Sequence, residues 1–261
     1  YSFFRLLSYM LIKRDNNKIL TEESYTLKKP LKIGKYLIFN KVNRLVFSNT
    51  DTLILSKTTG LYTVSIYNSY IYIINALISI LSSISDSFLN ALGSLLNSKE
   101  KYAEYVVKQV LIFISFLGVC IIPNIFLGMN AFVYRVWLQN DLYKLTIFLE
   151  TAYTFYFIIY ILRTPLEVLE NSYGLYKETY KINLIEALLN LSISLFLVTK
   201  LKMLGIILGS VIAMCFSLIA KEIVVLRKLQ FDYVDFAKVL IKILVIICTE
   251  LILVAIIKQY L

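Results

Sequence analysis

Residues 58–85 read TTGLYTVSIYNSYIYIINALISILSSIS and contain no charged side chain. A second uncharged stretch covers residues 109–134, with the sequence QVLIFISFLGVCIIPNIFLGMNAFVY. A helix needs about 20 apolar residues to cross the hydrocarbon core of a bilayer, so each stretch is long enough. The two stretches predict a membrane protein with several transmembrane helices.

The composition of the chain supports this prediction. Hydrophobic residues make up 59% of the 261 residues and charged residues 17%, whereas soluble domains average about 25% charged residues. The sequence predicts an all-α polytopic transmembrane helix bundle, in which short connections make consecutive helices antiparallel. The apolar segments predict about seven complete spans, at 36–56, 62–91, 103–127, 143–172, 178–199, 203–226 and 236–258.

The predicted organisation has three parts. Residues 1–12 are typical of the end of a truncated transmembrane helix, and residues 36–261 form a transmembrane helical lobe. Residues 13–35 are polar and rich in Lys, and we interpret them as a connector between two groups of helices. Lys and Arg concentrate in every second loop, beginning with 13–35, which places this connector in the cytoplasm.

The residue types limit the chemistry that the chain can perform. Histidine is absent, and the three cysteines lie far apart inside apolar segments, so the sequence predicts no metal site, no cofactor and no enzymatic activity. The net charge of +10 comes largely from basic loops of the kind that membrane proteins keep on the cytoplasmic side. We therefore expect no nucleic-acid partner.

Polar side chains recur inside the predicted spans at steps of three and four residues, which places them on one face of each helix. Ser and Asn in such stripes often serve only as contacts between helices. Charged side chains within a span instead favour an aqueous path. The candidate residues lining a substrate path are Asn40, Lys41, Arg44, Asp51, Asn68, Tyr72, Asn75, Asp86, Arg163, Glu167, Glu186 and Asn190.

Several segments between residues 35 and 225 resemble, in the correct order, the Wzx-type polysaccharide flippases of the multidrug/oligosaccharidyl-lipid/polysaccharide exporter superfamily. They are TDTLILS (50–56), GLYTVSIYNSY (60–70), IINAL (73–77), VWL (136–138), GLY (174–176), EALLNLSIS (186–194) and LGIILGS (204–210). The resemblance implies a MATE-like fold of two six-helix lobes around a central cavity. This chain would supply the connector and most of the second lobe.

The resemblance also implies a function. Such proteins move undecaprenyl-pyrophosphate-linked oligosaccharide repeat units across the bacterial plasma (inner) membrane by alternating access. The implied partners are the lipid-linked oligosaccharide, the bilayer and other membrane proteins of polysaccharide assembly. Lys41, Arg44 and Arg163 would face the pyrophosphate, while Asp51, Asp86 and Glu186 are candidate carboxylates for ion coupling.

Four other functions remain open at this point, and one of them is a structural membrane subunit that transports nothing. An exporter of small cations from the same superfamily predicts an acidic cavity with aromatic side chains, and a lipid II flippase is a second relative. A membrane-embedded glycosyltransferase or polymerase predicts catalytic carboxylates or His in large aqueous loops. The absence of His and of any large loop beyond 13–35 argues against such an enzyme.

Overall fold

The computed structural model describes residues 28–97 and 128–229, together with isolated positions between 109 and 125 and between 238 and 256. Every regular element in this part of the chain is helical, which confirms the all-α prediction. The main helices are α1 (Lys28–Thr59), α2 (Leu61–Asn97), α3 (Ile147–Tyr173), α4 (Tyr176–Leu201) and α5 (Met203–Leu229). The predicted spans 103–127 and 236–258 lie almost wholly outside the described residues.

Four of the described helices are long and apolar enough to cross a membrane. These segments are Leu61–Ser87, Ile147–Tyr173, Tyr176–Leu201 and Met203–Val225. The first helix, α1, is not among them, because its many polar and charged residues bring its average hydrophobicity close to zero. The count of seven spans and the MATE-like arrangement stay predictions.

Helix α1 is already helical at Lys28, whereas the sequence predicted a start near residue 36. Residues 28–35 of the predicted connector are therefore helical. The helix ends before Gly60, whose φ of +88° is a conformation that only glycine adopts readily.

The turn between α3 and α4 is a left-handed helix cap. Gly174 has φ +64° and ψ +34°, and the backbone N–H of Leu175 donates to the carbonyl of Glu170 at 3.0 Å. This geometry satisfies carbonyls that the end of a helix leaves unpaired. A single residue, Lys202, separates α4 from α5, so both connections are as short as the sequence predicted.

Residue contacts give the relative direction of the helices. Arg163 of α3 contacts Glu186 of α4, and Glu170 contacts Thr179. Residue numbers therefore rise along α3 while those of the contacted residues fall along α4, as in an antiparallel pair. The same holds for α4 and α5, where Asn190 bonds Ser210 and Val198 faces Gly205. These contacts confirm the antiparallel prediction for both pairs.

The apolar core lies where α2, α3 and α5 pack together. Tyr70, Ile74, Tyr153, Phe157 and Ile206 are completely buried there. The rings of Tyr70 and Tyr153 stack with centroids 5.6 Å apart, an offset arrangement that aromatic pairs favour. This core fixes α3, which carries Arg163, Glu167 and Glu170.

The buried side-chain amide of Asn130 anchors the connection at residues 128–146, which precedes α3. Asn130 accepts hydrogen bonds from the hydroxyl of Tyr70 at 2.7 Å and from the backbone N–H of Leu145 at 3.0 Å. Its side-chain nitrogen donates to the carbonyl of Leu145 and to the carboxylate of Glu150. This network holds the end of the connection against α2.

Candidate functional site

A cavity of about 710 Å³ is lined by side chains of all five main helices. Its volume is in the range of small-molecule binding sites, about 300–1,000 Å³. Three cationic and two carboxylate side chains line it beside amides, hydroxyls and two Tyr rings. The lining residues are Asn40, Lys41, Asn43, Leu45, Asn75, Ile78, Ser79, Ser82, Tyr156, Tyr160, Arg163, Glu167, Asn183, Glu186, Met214 and Lys221.

Arg163 is the central charged group of this cavity. Its two terminal nitrogens donate to the two carboxylate oxygens of Glu186, at 2.5 and 3.2 Å, and one of them also reaches Glu167 at 3.3 Å. The guanidinium and Glu186 are both more than nine-tenths buried. Two parallel N–H···O bonds of this kind are among the strongest polar contacts in proteins.

A second buried ion pair closes one side of the cavity. The ammonium of Lys221 lies 2.9 Å from Glu170, and both side chains are almost completely buried. Glu170 also accepts hydrogen bonds from Thr179 at 2.6 Å and from Asn40 at 3.4 Å. The pair thereby connects α1, α3, α4 and α5 around a single carboxylate.

A separate polar cluster surrounds Asp51 in the core between α1, α2, α4 and α5. The carboxylate accepts from Ser210 at 2.7 Å, Asn190 at 3.2 Å and Tyr67 at 3.3 Å. Every donor that the described residues supply to Asp51 is neutral, and the side chain is 4% exposed. A buried carboxylate needs such partners, because burial of an unsatisfied charge is very costly.

Close helix packing allows this cluster to form. A Cβ added at Gly209 would lie 2.3 Å from the hydroxyl oxygen of Ser194, and one at Gly205 would lie 2.6 Å from the backbone of Leu197. The two glycines therefore let α5 approach α4 closely, as the small residues of membrane helices do. Ser210 consequently reaches both Asp51 and Asn190.

The structure brings six of the twelve predicted path residues together in the cavity. These are Asn40, Lys41, Asn75, Arg163, Glu167 and Glu186. Asp51 and Asn190 lie instead in the buried cluster of the preceding paragraphs, where hydrogen bonds fill their polar sites. The side chain of Arg44 lies outside the described residues.

The remaining three predicted path residues, all on α2, do not line the cavity. Tyr72 is 64% exposed, Asp86 is exposed and Asn68 is half-buried. The cavity covers only the middle of this helix, from Asn75 to Ser82. The polar stripe continues beyond both ends of this interval, so these three residues lie outside this cavity.

Lys221 is the most informative cavity residue that was not among the predicted path residues. The predicted span 203–226 contains it, and α5, which continues to Leu229, buries Lys221 to 2% exposure. A signal was present, because Ser210, Ser217 and Lys221 recur at steps of seven and four residues on one face. Asn43 and Tyr156 also line the cavity and were not among the predicted path residues.

Neither a metal cluster nor a disulfide accounts for this geometry. Within the described ranges, no three His, Cys, Asp or Glu side chains come together in a way that could hold a metal ion. Cys215 is a free, partly buried thiol, and Cys120 and Cys248 lie outside the described residues.

The class that these observations define is a helical membrane protein, in which the described residues include four helices suited to cross a membrane and a polar cavity lined by those helices and α1. No protein-family model matches the sequence, and neither the curated proteins nor the solved structures include a match.

Proposed function

We propose that this chain forms part of a flippase that moves undecaprenyl-pyrophosphate-linked oligosaccharides across the bacterial plasma membrane for surface polysaccharide synthesis. The observation that carries the proposal is the cavity, in which fixed charges and hydrogen-bonding groups lie among apolar helices. Polar groups at membrane depth are costly where they face lipid, so they usually line a route for a polar solute.

The lining matches the two polar parts of the proposed cargo, the glycan and the pyrophosphate. Asn75, Ser79 and Asn183 offer hydrogen bonds to sugar hydroxyls, and the rings of Tyr156 and Tyr160 offer surfaces for pyranose rings. Arg163 offers the planar pair of donors that fits phosphate oxygens. The polyprenyl tail would stay in the bilayer while the head group occupies the cavity.

Asp51 suits a role in coupling transport to an ion. It is a buried carboxylate whose described hydrogen-bond partners are all neutral and lie on α2, α4 and α5. Any change in its charge would alter contacts on three helices at once. In this proposal, such a change contributes to the rocking movement of alternating access.

A small-cation exporter is the second candidate, and one observation favours it. Glu167 and Glu186 both bind Arg163, so this buried cation of the cavity is already neutralised. The two Tyr rings would suit a cationic, aromatic solute. This candidate predicts that loss of the protein sensitises cells to cationic dyes and leaves surface polysaccharide unchanged.

The direct test is complementation of a strain that lacks the protein. We expect the deletion strain to lose surface polysaccharide and to accumulate lipid-linked repeat units, and the wild-type protein to restore export. Asn75→Trp fills the cavity with an indole ring and should restore almost nothing. Ala76→Trp, at the neighbouring exposed position outside the cavity lining, should restore export.

Two results would count against the flippase proposal. One is normal surface polysaccharide in the deletion strain. The other is equal export by the Asn75→Trp and Ala76→Trp proteins at equal membrane abundance. Sensitivity to ethidium, measured in the same strains, decides for or against the cation exporter.

A further inference from the structure

The two terminal nitrogens of Arg163 have hydrogen-bond acceptors, but one further donor of the guanidinium has none among the described residues. Glu186 and Glu167 accept from the terminal nitrogens. Nε of Arg163 is buried, and no group among the described residues accepts a hydrogen bond from it. A buried donor without an acceptor is destabilising, so its position at a cavity indicates a place for another acceptor.

A second unsatisfied donor lies on the same cavity. Nδ2 of Asn43 is buried, and it too has no acceptor within the described parts of the chain. Both side chains are at least nine-tenths buried, and both contribute to the cavity wall. Oδ1 of Asn40, a buried acceptor in the same lining, also lacks a partner among the described residues. Two donors and one acceptor without partners favour an anionic ligand that offers several acceptor oxygens and also a hydroxyl donor.

The present partner of Arg163 resembles such a ligand in shape. Glu186 engages the guanidinium through two oxygens, and a phosphate group can offer two oxygens to the same nitrogens and further oxygens beyond them. A carboxylate offers two oxygens only, which leaves Nε and Asn43 without acceptors. A phosphoryl anion could therefore satisfy more of these donors than Glu186 does.

We propose that Arg163 is an exchange site, at which the phosphoryl group of the cargo displaces the Glu186 carboxylate. The inference rests on the proposed function and deepens it by naming how the cavity selects anionic lipid head groups. A neutral glycolipid has no charge with which to replace Glu186, so it leaves the ion pair closed. No covalent bond forms or breaks in this exchange.

The cavity also contains a new partner for the displaced carboxylate. Lys41 lines the same cavity as Glu186 and its side chain is exposed. Lys221, by contrast, is already engaged by Glu170 at 2.9 Å. When the phosphoryl group binds Arg163, Glu186 is thus expected to pair with Lys41 instead. The phosphoryl group and the Glu186 carboxylate then each keep a cationic partner.

Binding of inorganic pyrophosphate to the purified chain in detergent tests the exchange without transport. Glu186→Gln removes the competing charge and retains the shape of the side chain. Isothermal titration calorimetry should show binding at least about tenfold tighter than wild type, because a buried competitor for the guanidinium has been neutralised. The gain should vanish in the Glu186→Gln/Arg163→Gln double variant.

Glu178→Gln is the matched control. It removes the same charge from the same helix, but Glu178 pairs with Lys228 at 4.0 Å and is absent from the cavity lining. Its affinity should stay within about twofold of wild type, since exposed charges at a distance are screened. The exchange would be overturned if Glu186→Gln and Glu178→Gln raised the pyrophosphate affinity equally. It would also be overturned if the gain in affinity persisted in the Glu186→Gln/Arg163→Gln double variant.

A second variant keeps the test decisive if Glu186→Gln does not fold. Glu167→Gln leaves both Glu186 bonds to Arg163 in place and removes the weaker third contact at 3.3 Å. Its pyrophosphate affinity should exceed that of Glu178→Gln. Equal affinities for these two variants would contradict the proposal.

Competition in nanodiscs identifies the source of the phosphoryl group. Undecaprenyl pyrophosphate should displace bound inorganic pyrophosphate, whereas phosphatidylglycerol at the same concentration should not. Equal displacement by both lipids would overturn the assignment to the cargo. Failure of the exchange in these experiments would not contradict the flippase proposal. That proposal is tested separately, by complementation with Ala76→Trp and the absence of complementation with Asn75→Trp.

Discussion

At the scale of single residues, α5 carries two buried serines with opposite surroundings. Ser210 donates a 2.7 Å hydrogen bond to Asp51. Ser217 is equally buried, yet its hydroxyl has no partner within the described residues. The same chemical change at the two positions therefore separates the contribution of the Asp51 cluster from that of a hydroxyl alone.

We predict that Ser210→Ala destabilises the folded chain and that Ser217→Ala does not. Loss of a donor to a buried carboxylate costs about 1–3 kcal/mol, and removal of an unsatisfied hydroxyl is neutral or stabilising. Thermal unfolding in detergent checks this, with a lower Tm expected for Ser210→Ala only. Equal Tm values for the two variants would mean that Ser210 contributes nothing to the cluster.

The candidate site was predictable where polar residues follow the helical period. Arg163, Glu167 and Glu186 were selected on that basis, and they form one contact group. Asp51 was selected by the same rule but lies in the buried cluster. A polar stripe shows which residues share a face of a helix, but it does not show what that face contacts. Only the packing of neighbouring helices decides between a cavity and a buried contact.

At the scale of helices, the close approach of α4 and α5 depends on Gly205. A Cβ at this position would lie 2.6 Å from the backbone carbonyl of Leu197, which cannot rotate away as a side chain could. We predict that Gly205→Ala separates the two helices and costs about 1–3 kcal/mol. Thermal unfolding measures this, and the Ser210 hydrogen bond should weaken with it.

Gly128→Ala provides the control for this change. Among the described residues, a Cβ there meets nothing within 4 Å. Gly128 has helical backbone, where Ala is favoured over Gly by up to about 1 kcal/mol. The Tm should therefore stay unchanged or rise. A Gly205→Ala protein as stable as the Gly128→Ala protein would show that the two helices can tolerate the extra methyl group.

The existence of these helices was predictable, but their ends were less so. Apolar period and length identified all five main helices, and Gly60 and Gly174 marked two of the turns correctly. The sequence did not predict that α1 begins at Lys28 or that α5 continues to Leu229. Lysines at these ends suggested loops, whereas the structure keeps both segments helical.

At the scale of the whole molecule, the central claim is that polar faces of the helices line a water-filled cavity. Adjacent residues on α2 test it, because Ser79 lines the cavity and Ile80 does not. Both side chains are exposed, Ile80 to 56%. Exposure alone cannot distinguish them, but water should reach one and acyl chains the other.

The measurement is the reaction rate of a single cysteine with a membrane-impermeant methanethiosulfonate in proteoliposomes, with Cys120, Cys215 and Cys248 replaced by Ala. These reagents attack the thiolate, which forms only in contact with water. The account predicts that Ser79→Cys reacts at least about tenfold faster than Ile80→Cys. Equal rates, or a faster reaction at residue 80, would contradict it.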